Sequence, residues 1–184
     1  MTKESNDKVN DIIIRKAKTQ DAKQFVKLNN FVWRIAYKDI FPEEVFLERE
    51  AKAEEKIKKF DKIYCNNNKF LTYVAECDSK IVGILWGAMK SEYEYFGTKS
   101  YADLMALYIH PDYQGLKISS KFKKTFEDWA KENGATKYVI GVLKDNHKAR
   151  RVYENWGGKL DAQTQPFVKL GVGYEEVFYT YDLK

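Results

Sequence analysis

The sequence is short of almost every residue that builds metal or disulfide chemistry. It has 2 Cys, 2 His and 3 Pro in 184 residues. Cys65 and Cys77 show no secreted-scaffold pattern, so they read as two free thiols in a reducing cytosol. No Cys-x-x-Cys or His-Glu-x-x-His is present, which argues against a zinc site, and the metal expectation is none. The longest apolar run, Ile81 to Met89, is nine residues, against about 20 for a spanning helix. The N-terminal stretch MTKESNDKVND is polar and carries no apolar signal core. These absences predict a soluble, unexported chain that crosses no membrane and works in the cytoplasm.

What is present is an ordinary globular composition, 44% hydrophobic and 32% charged. That is enough for one domain with a sizeable core and excludes wholesale disorder. The net charge of +5 comes mostly from Lys mixed with Glu along helical stretches. It permits an anionic ligand and gives thin support for nucleic acid.

Residues 1–10 read as a disordered lead, and Asp11–Arg15 as a first strand. Thr19 or Asp21 starts a helix with Phe25, Leu28, Val32 and Ile35 as its core stripe. Trp33, Tyr37 and Ile40 form a second ridge, available to a partner element or a ligand. Pro42 opens a second helix, with Glu43 and Glu44 in its first turn, running to about Phe60. Asn66-Asn67-Asn68 reads as a turn. Strands 70–76 and 80–88 form a hairpin, and a polar, aromatic excursion from Ser91 follows. Strand 102–109 is almost wholly apolar and is expected to be buried on both faces. A helix follows the loop 110–115, then strand 137–143, a short helix 147–156, and strands near 158–163 and 174–183. The order β-α-α-β-β-β-α-β-α-β-β predicts a mixed α/β (α+β) domain.

Two segments carry candidate chemistry. The glycine-bearing loop before the helix at Leu116 offers free N–H groups and a positive dipole end to an anion such as a coenzyme phosphate. Lys117, Lys121, Lys123 and Lys124 add charge, although a lysine-rich solvated face fits the same residues. In the second segment Asn146 is a natural N-cap, and Tyr153 is either a core aromatic or a proton donor.

These segments together resemble the GNAT acetyltransferase superfamily over essentially the whole chain. Gln114-Gly115-Leu116-Lys117-Ile118-Ser119 is similar to the acyl-CoA signature Gln/Arg-x-x-Gly-x-Gly/Ala. Asn146 to Gly157 is similar to Asn-x-x-Ala-x-x-x-Tyr-x-x-x-Gly, and Trp33 to Pro42 is similar to the first helix of many members. Lys117 and Ser119 replace both small residues of the signature, which bears on coenzyme affinity. Lys117 must either keep ordinary helical angles or swing its side chain clear.

The resemblance implies a mostly antiparallel twisted sheet flanked by helices, and a single acetyltransferase domain over 11–184. It implies acetyl-CoA as co-substrate, held by Leu107, Tyr108, Ile109, Gln114, Gly115, Leu116, Lys117, Ile118, Ser119, Ser120 and Asn146. The acetyl group passes directly to a primary amine, whether a small amine, a polyamine or a peptide N-terminus, with Tyr153 as general acid. Trp33, Tyr37, Glu92 and Glu94 are the acceptor-site expectations, the two glutamates suiting a cationic amine. Glu76, Asp103 and a water chain are all open as base, and a homodimer is compatible with this reading. The rivals are a non-catalytic acyl-CoA sensor of the same fold and a basic nucleic-acid-binding module.

Overall fold

The computed structural model describes residues 12–65 and 69–184; the expected lead, Asp11 and the turn at Asn66–Asn68 lie outside them. Seven strands form one open sheet: β1 Ile13–Lys16, β2 Phe70–Cys77, β3 Lys80–Ala88, β4 Ala102–Ile109, β5 Lys137–Leu143, β6 Lys159–Lys169 and β7 Val172–Asp182. Their spatial order is β1-β2-β3-β4-β5-β7-β6. Every neighbouring pair is antiparallel except β4–β5.

Among the described residues six α-helices join them: α1 Ala22–Tyr37, α2 Glu43–Ala51, α3 Ala53–Lys58, α4 Glu94–Thr98, α5 Ile118–Glu132 and α6 His147–Asn155. The expected single helix from Pro42 to Phe60 is therefore two, broken at Lys52, whose backbone leaves helical angles (φ −86°, ψ 3°). The excursion after Ser91 closes with the short α4. The last two strands are longer than expected and make a hairpin through the tight turn at Leu170 and Gly171, both at positive φ.

The two faces of the sheet are covered by different helices. On one, α5 lays Ile118, Phe122, Phe126 and Ala130 against Leu85, Leu104, Tyr138 and Ile140. On the other, Phe25, Val26, Leu28 and Val32 of α1 pack with Phe60 on Val74 and Ile84. Fully burying one such side chain contributes about 1.5–3 kcal/mol. The sequence stripe on α1 needs a correction. Ile35 is 41% exposed while Trp33 is buried, because the inward face at the end of α1 follows Val32 and Trp33. Trp33 joins Phe41, Val45, Phe46 and Leu143 in a third cluster.

Candidate functional site

The parallel pairing of β4 and β5 is two rungs long, Ala102↔Tyr138 and Asp103↔Val139. Past it, β5 pairs with β7 alone and β4 with β3 alone. A register shift in the β3–β4 ladder between Trp86 and Ala88 falls at the same level, and such bulges re-aim a strand. The result is a wedge between the C-terminal halves of β4 and β5. For this reason β4 is not buried on both faces as expected: Met105, Ala106, Leu107 and Tyr108 are half-buried.

The ladder also shows which backbone groups face the wedge. The His110 N–H donates to Val82 O at 2.8 Å, so that opposed pair is a hydrogen-bonded one. Antiparallel pairs alternate, and Leu85↔Leu107 and Gly83↔Ile109 are thus the non-bonded pairs. The N–H and C=O groups of Leu107 and Ile109 point away from β3. The Gln114 side chain donates to Ile109 O at 3.4 Å, as that orientation requires. A free strand edge of this kind accepts an extended amide chain.

Beyond β4, Pro111–Tyr113 make one 3₁₀ turn, capped by the His110 ring accepting from the Asp112 N–H. His110 also stacks on Phe31, with ring centroids 5.1 Å apart, so its role here is local order. Gln114 and Gly115 are exposed, Leu116 is half-buried, and Ile118 is buried in the core. The first backbone bond into the α5 turn is the Lys121 N–H to Lys117 O. No side chain caps this helix end. The N–H groups of Ile118, Ser119 and Ser120 therefore have no intrahelical acceptor, and with the dipole they make an anion-binding end.

Lys117 does not keep ordinary helical angles; it swings its side chain clear, on a backbone that the expectation did not specify. Its backbone is left-handed, φ 60° and ψ 13°, the conformation that glycine adopts at no steric cost. Its side chain is exposed. The loop path is thus kept at the expense of strain. Lys117→Gly is expected to raise the stability of the free protein by roughly 0.5–1 kcal/mol, as relief of left-handed strain outweighs the added chain entropy. Urea unfolding of the two proteins checks this, and a destabilised Lys117→Gly contradicts it. The other lysines of the loop are more committed than their sequence suggests. Lys123 pairs with Glu127 at 2.5 Å and Lys124 with Asp128 at 2.7 Å.

On the wedge's other wall, the Asn146 side chain caps α6 by accepting from the Ala149 N–H at 3.1 Å. Asn146, Tyr37 and Tyr108 are close enough to influence one another's hydroxyl electrostatics. Burial is the main reason that the Tyr37 hydroxyl is pushed well up, with Tyr108 and Tyr153 adding to it. Tyr153 belongs to the same group. Burial and then Tyr108 raise its pKa, so its phenol stays protonated at neutral pH. Among the described residues no side chain hydrogen-bonds to the Tyr153 hydroxyl; only its backbone carbonyl is engaged, by Tyr181 at 2.9 Å. Residues from α1, β4 and α6 thus converge at the wedge.

Not every expected residue arrives there. Trp33 is spent on packing, stacked on Phe41 at 5.0 Å. Glu92 and Glu94 are exposed. Glu76 is bound to Arg15 at 2.5 Å. Asp103 is buried and accepts from Ser91 Oγ at 2.8 Å. Burial, with Glu176 and Glu92 nearby, pushes its carboxyl up to about 7 against the pull of Ser91. Cys65 and Cys77 are not joined in a disulfide.

Other residues at the wedge gave little signal in the sequence. Gly141 on β5 leaves the space that Tyr93 Oη and Glu176 Oε1 occupy, and Tyr93 donates to Glu176 at 3.0 Å. Strand alternation could have pointed Glu176 inward. Nothing local singled out Tyr93, or Arg49, which lies with Tyr37, Tyr64 and Tyr108.

Among the described residues no helix is long and apolar enough to cross a membrane. Residues 32–157 match the family model described as the acetyltransferase (GNAT) family. Comparison with curated proteins finds no match. Many solved structures share the fold, three of them as follows. The PaiA N-acetyltransferase of Thermoplasma acidophilum in complex with coenzyme A is 20% identical with a TM-score of 0.71, covering 92% of this chain and 99% of that one. The yncA protein of Salmonella typhimurium with its cofactor acetyl-CoA is 18% identical, TM-score 0.64, covering 95% of each chain. The ribosomal-protein-alanine N-acetyltransferase of Brucella melitensis is 17% identical, TM-score 0.65, covering 93% and 99%.

Proposed function

Because the chain belongs to the acetyltransferase (GNAT) family, we propose that it transfers the acetyl group of acetyl-CoA directly to a primary amine, in a single domain over residues 11–184. The observation that carries this reading is the wedge. One unpaired strand edge, one uncapped helix end and one protonated phenol surround the same opening. The Leu107 and Ile109 edge suits the amides of the pantetheine arm. The Ile118–Ser120 N–H groups suit the pyrophosphate, beside a Gly115 whose surroundings are open.

Acetyl-CoA supplies an activated thioester carbonyl. The Leu107 N–H, facing the wedge, is placed to stabilise negative charge on that carbonyl oxygen. The amine nitrogen, in its neutral form, forms the new C–N bond as the C–S bond breaks. Tyr153 gives its proton to the departing sulfur, and the amine's surplus proton leaves to water. Tyr37, Tyr108 and Asn146 lie beside the wedge. The coenzyme-sensor alternative drew on the loop substituted at Lys117 and Ser119, and Lys117's left-handed backbone weakens the part that rests on Lys117.

Acetyl-CoA should stabilise the folded chain by mass action, about 2.7 kcal/mol at a hundred-fold excess over Kd. For a chain of this size, that is a rise of roughly 5–10 °C in Tm. Thermal unfolding with millimolar acetyl-CoA tests it, and no rise overturns the reading. Thiol release with a panel of amines then separates enzyme from sensor.

A further inference from the structure

Arg49 on α2 has no part in the chemistry above, yet it sits among the phenols of the wedge. Its guanidinium lies 4.5 Å over the Trp33 ring, and Nη2 donates to Asn29 Oδ1 at 2.8 Å. Nε is buried with no acceptor. Arg15 and Arg34 each bridge two carboxylates. Among the described residues no carboxylate lies within 4.0 Å of Arg49.

Two lysines from other elements come to the same place. Lys169, at the end of β6, lies 4.9 Å over Phe167. Phe167 packs at 6.1 Å on Phe41, which also stacks on Trp33 at 5.0 Å. Lys56, on α3, lies within Coulombic reach of both Arg49 and Lys169. Both lysines are half-buried, and among the described residues neither has an ion-pair partner. Burial, with repulsion from Arg49, Lys169 and Lys52, brings the Lys56 ammonium down to about 8. Burial and Arg49 lower Lys169 as well. Burial lowers Arg49 against the pull of Tyr108, Tyr64 and Tyr37. The nearby carboxylate of Glu48 is engaged by Lys52 at 2.6 Å.

Three half-buried cations without a counter-ion are mutually destabilising, and partly buried charges are screened little. An anion arriving among them removes that cost, and a planar carboxylate matches a guanidinium fork. We propose that the acceptor amine carries a carboxylate, which binds at Arg49 with Lys56 and Lys169 beside it. The acceptor is then a small molecule of the free amino-acid class, its amine toward Tyr108 and its acid toward Arg49. A polyamine would set a second ammonium against these cations, a repulsion that discriminates between the two classes. This rests on the acetyl-transfer reading for the amine end, while the anion site stands on its own residues.

The test compares each of a panel of L-amino acids with its own amide, and with spermidine, as acceptor in a CoA-release assay. A carboxylate held by a charge-assisted pair is expected to give a 10- to 100-fold higher kcat/KM than the amide. Arg49→Met should abolish that preference through KM, leaving the acetyl-CoA Kd unchanged. Lys169→Gln, at a hairpin end, should reduce it several-fold and stands in if Arg49→Met does not fold.

Calorimetry with N-acetyl-L-leucine and N-acetyl-L-leucinamide, each with CoA present, reads the anion site without turnover. Tighter binding of the acid, lost in Arg49→Met or weakened in Lys169→Gln, supports the site even if no amine is acetylated, in which case the transfer reading falls alone. Equal or better use of amides or spermidine overturns the inference while acetyl transfer stands. So does binding of neither leucine derivative.

Discussion

Tyr153→Phe is expected to lower kcat by about 10²- to 10⁴-fold, the usual span for a proton donor in the transition state. Phenylalanine keeps the ring that packs against Trp156 and Tyr179, with centroids at 5.8 and 6.0 Å. It also keeps the backbone carbonyl that Tyr181 uses. The lost hydroxyl breaks no hydrogen bond to a described side chain, so the Tm and the KM for acetyl-CoA should stay near wild type. A loss confined to kcat marks an interaction made only in the transition state. The burial that keeps the phenol protonated also penalises a bare thiolate, so the proton is needed as the C–S bond breaks. Steady-state kinetics on an acceptor found by thiol release decides it. Near-wild-type kcat in Tyr153→Phe removes the tyrosine from the chemistry, and a fall in Tm matching the fall in rate makes it structural.

The second large effect is a loss of stability as the solution is made less acidic, centred on Asp103. This carboxyl is 2% exposed and ionises at about 7 rather than 3.8 in the folded chain. The unfolded chain releases that proton at ordinary carboxylate pH and the folded chain does not. The contribution therefore declines as pH rises past about 4 and is fully lost above about 7. It amounts to roughly 4 kcal/mol, on an order-of-magnitude scale. Glu176, itself raised by burial, adds a trend of the same sign. Asp103→Asn keeps an oxygen for Ser91 Oγ and removes the ionisation. Urea unfolding at pH 5 and pH 8 should show a smaller difference between the two pH values for Asp103→Asn than for wild type. Equal differences would mean that Asp103 is already ionised throughout this range.

Much of this molecule is readable without coordinates. The strands and main helices follow from period-two and period-3.6 patterning, and the loop and Asn146–Gly157 motifs stand where their spacing puts them. These are local properties, carried by backbone sterics and by which side chains repel water. The misreadings are instructive for the same reason. Ile35 keeps the right spacing, yet Trp33 takes the core, because the packed face is set by what covers it. Strand 102–109 is apolar enough to be buried, but half of it lines a wedge, since strand separation depends on a partner 36 residues further along the chain, as in Ala102↔Tyr138. Trp33 and Tyr37 belong to one sequence ridge; one ring packs and the other reaches Tyr108.

The sequence alone determined the order of elements, the family resemblance, the anion-binding helix end and the candidate phenol. Only the tertiary structure decided that Lys117 bends left-handed, that Leu107 and Ile109 turn their backbone into the opening, and that the charges of Arg49, Lys56 and Lys169 act on one another. Backbone direction at a strand edge and the company of a charge depend on contacts between residues far apart in the chain. No window of neighbouring residues contains that information, because the energy that settles it comes from burial and Coulomb terms across elements.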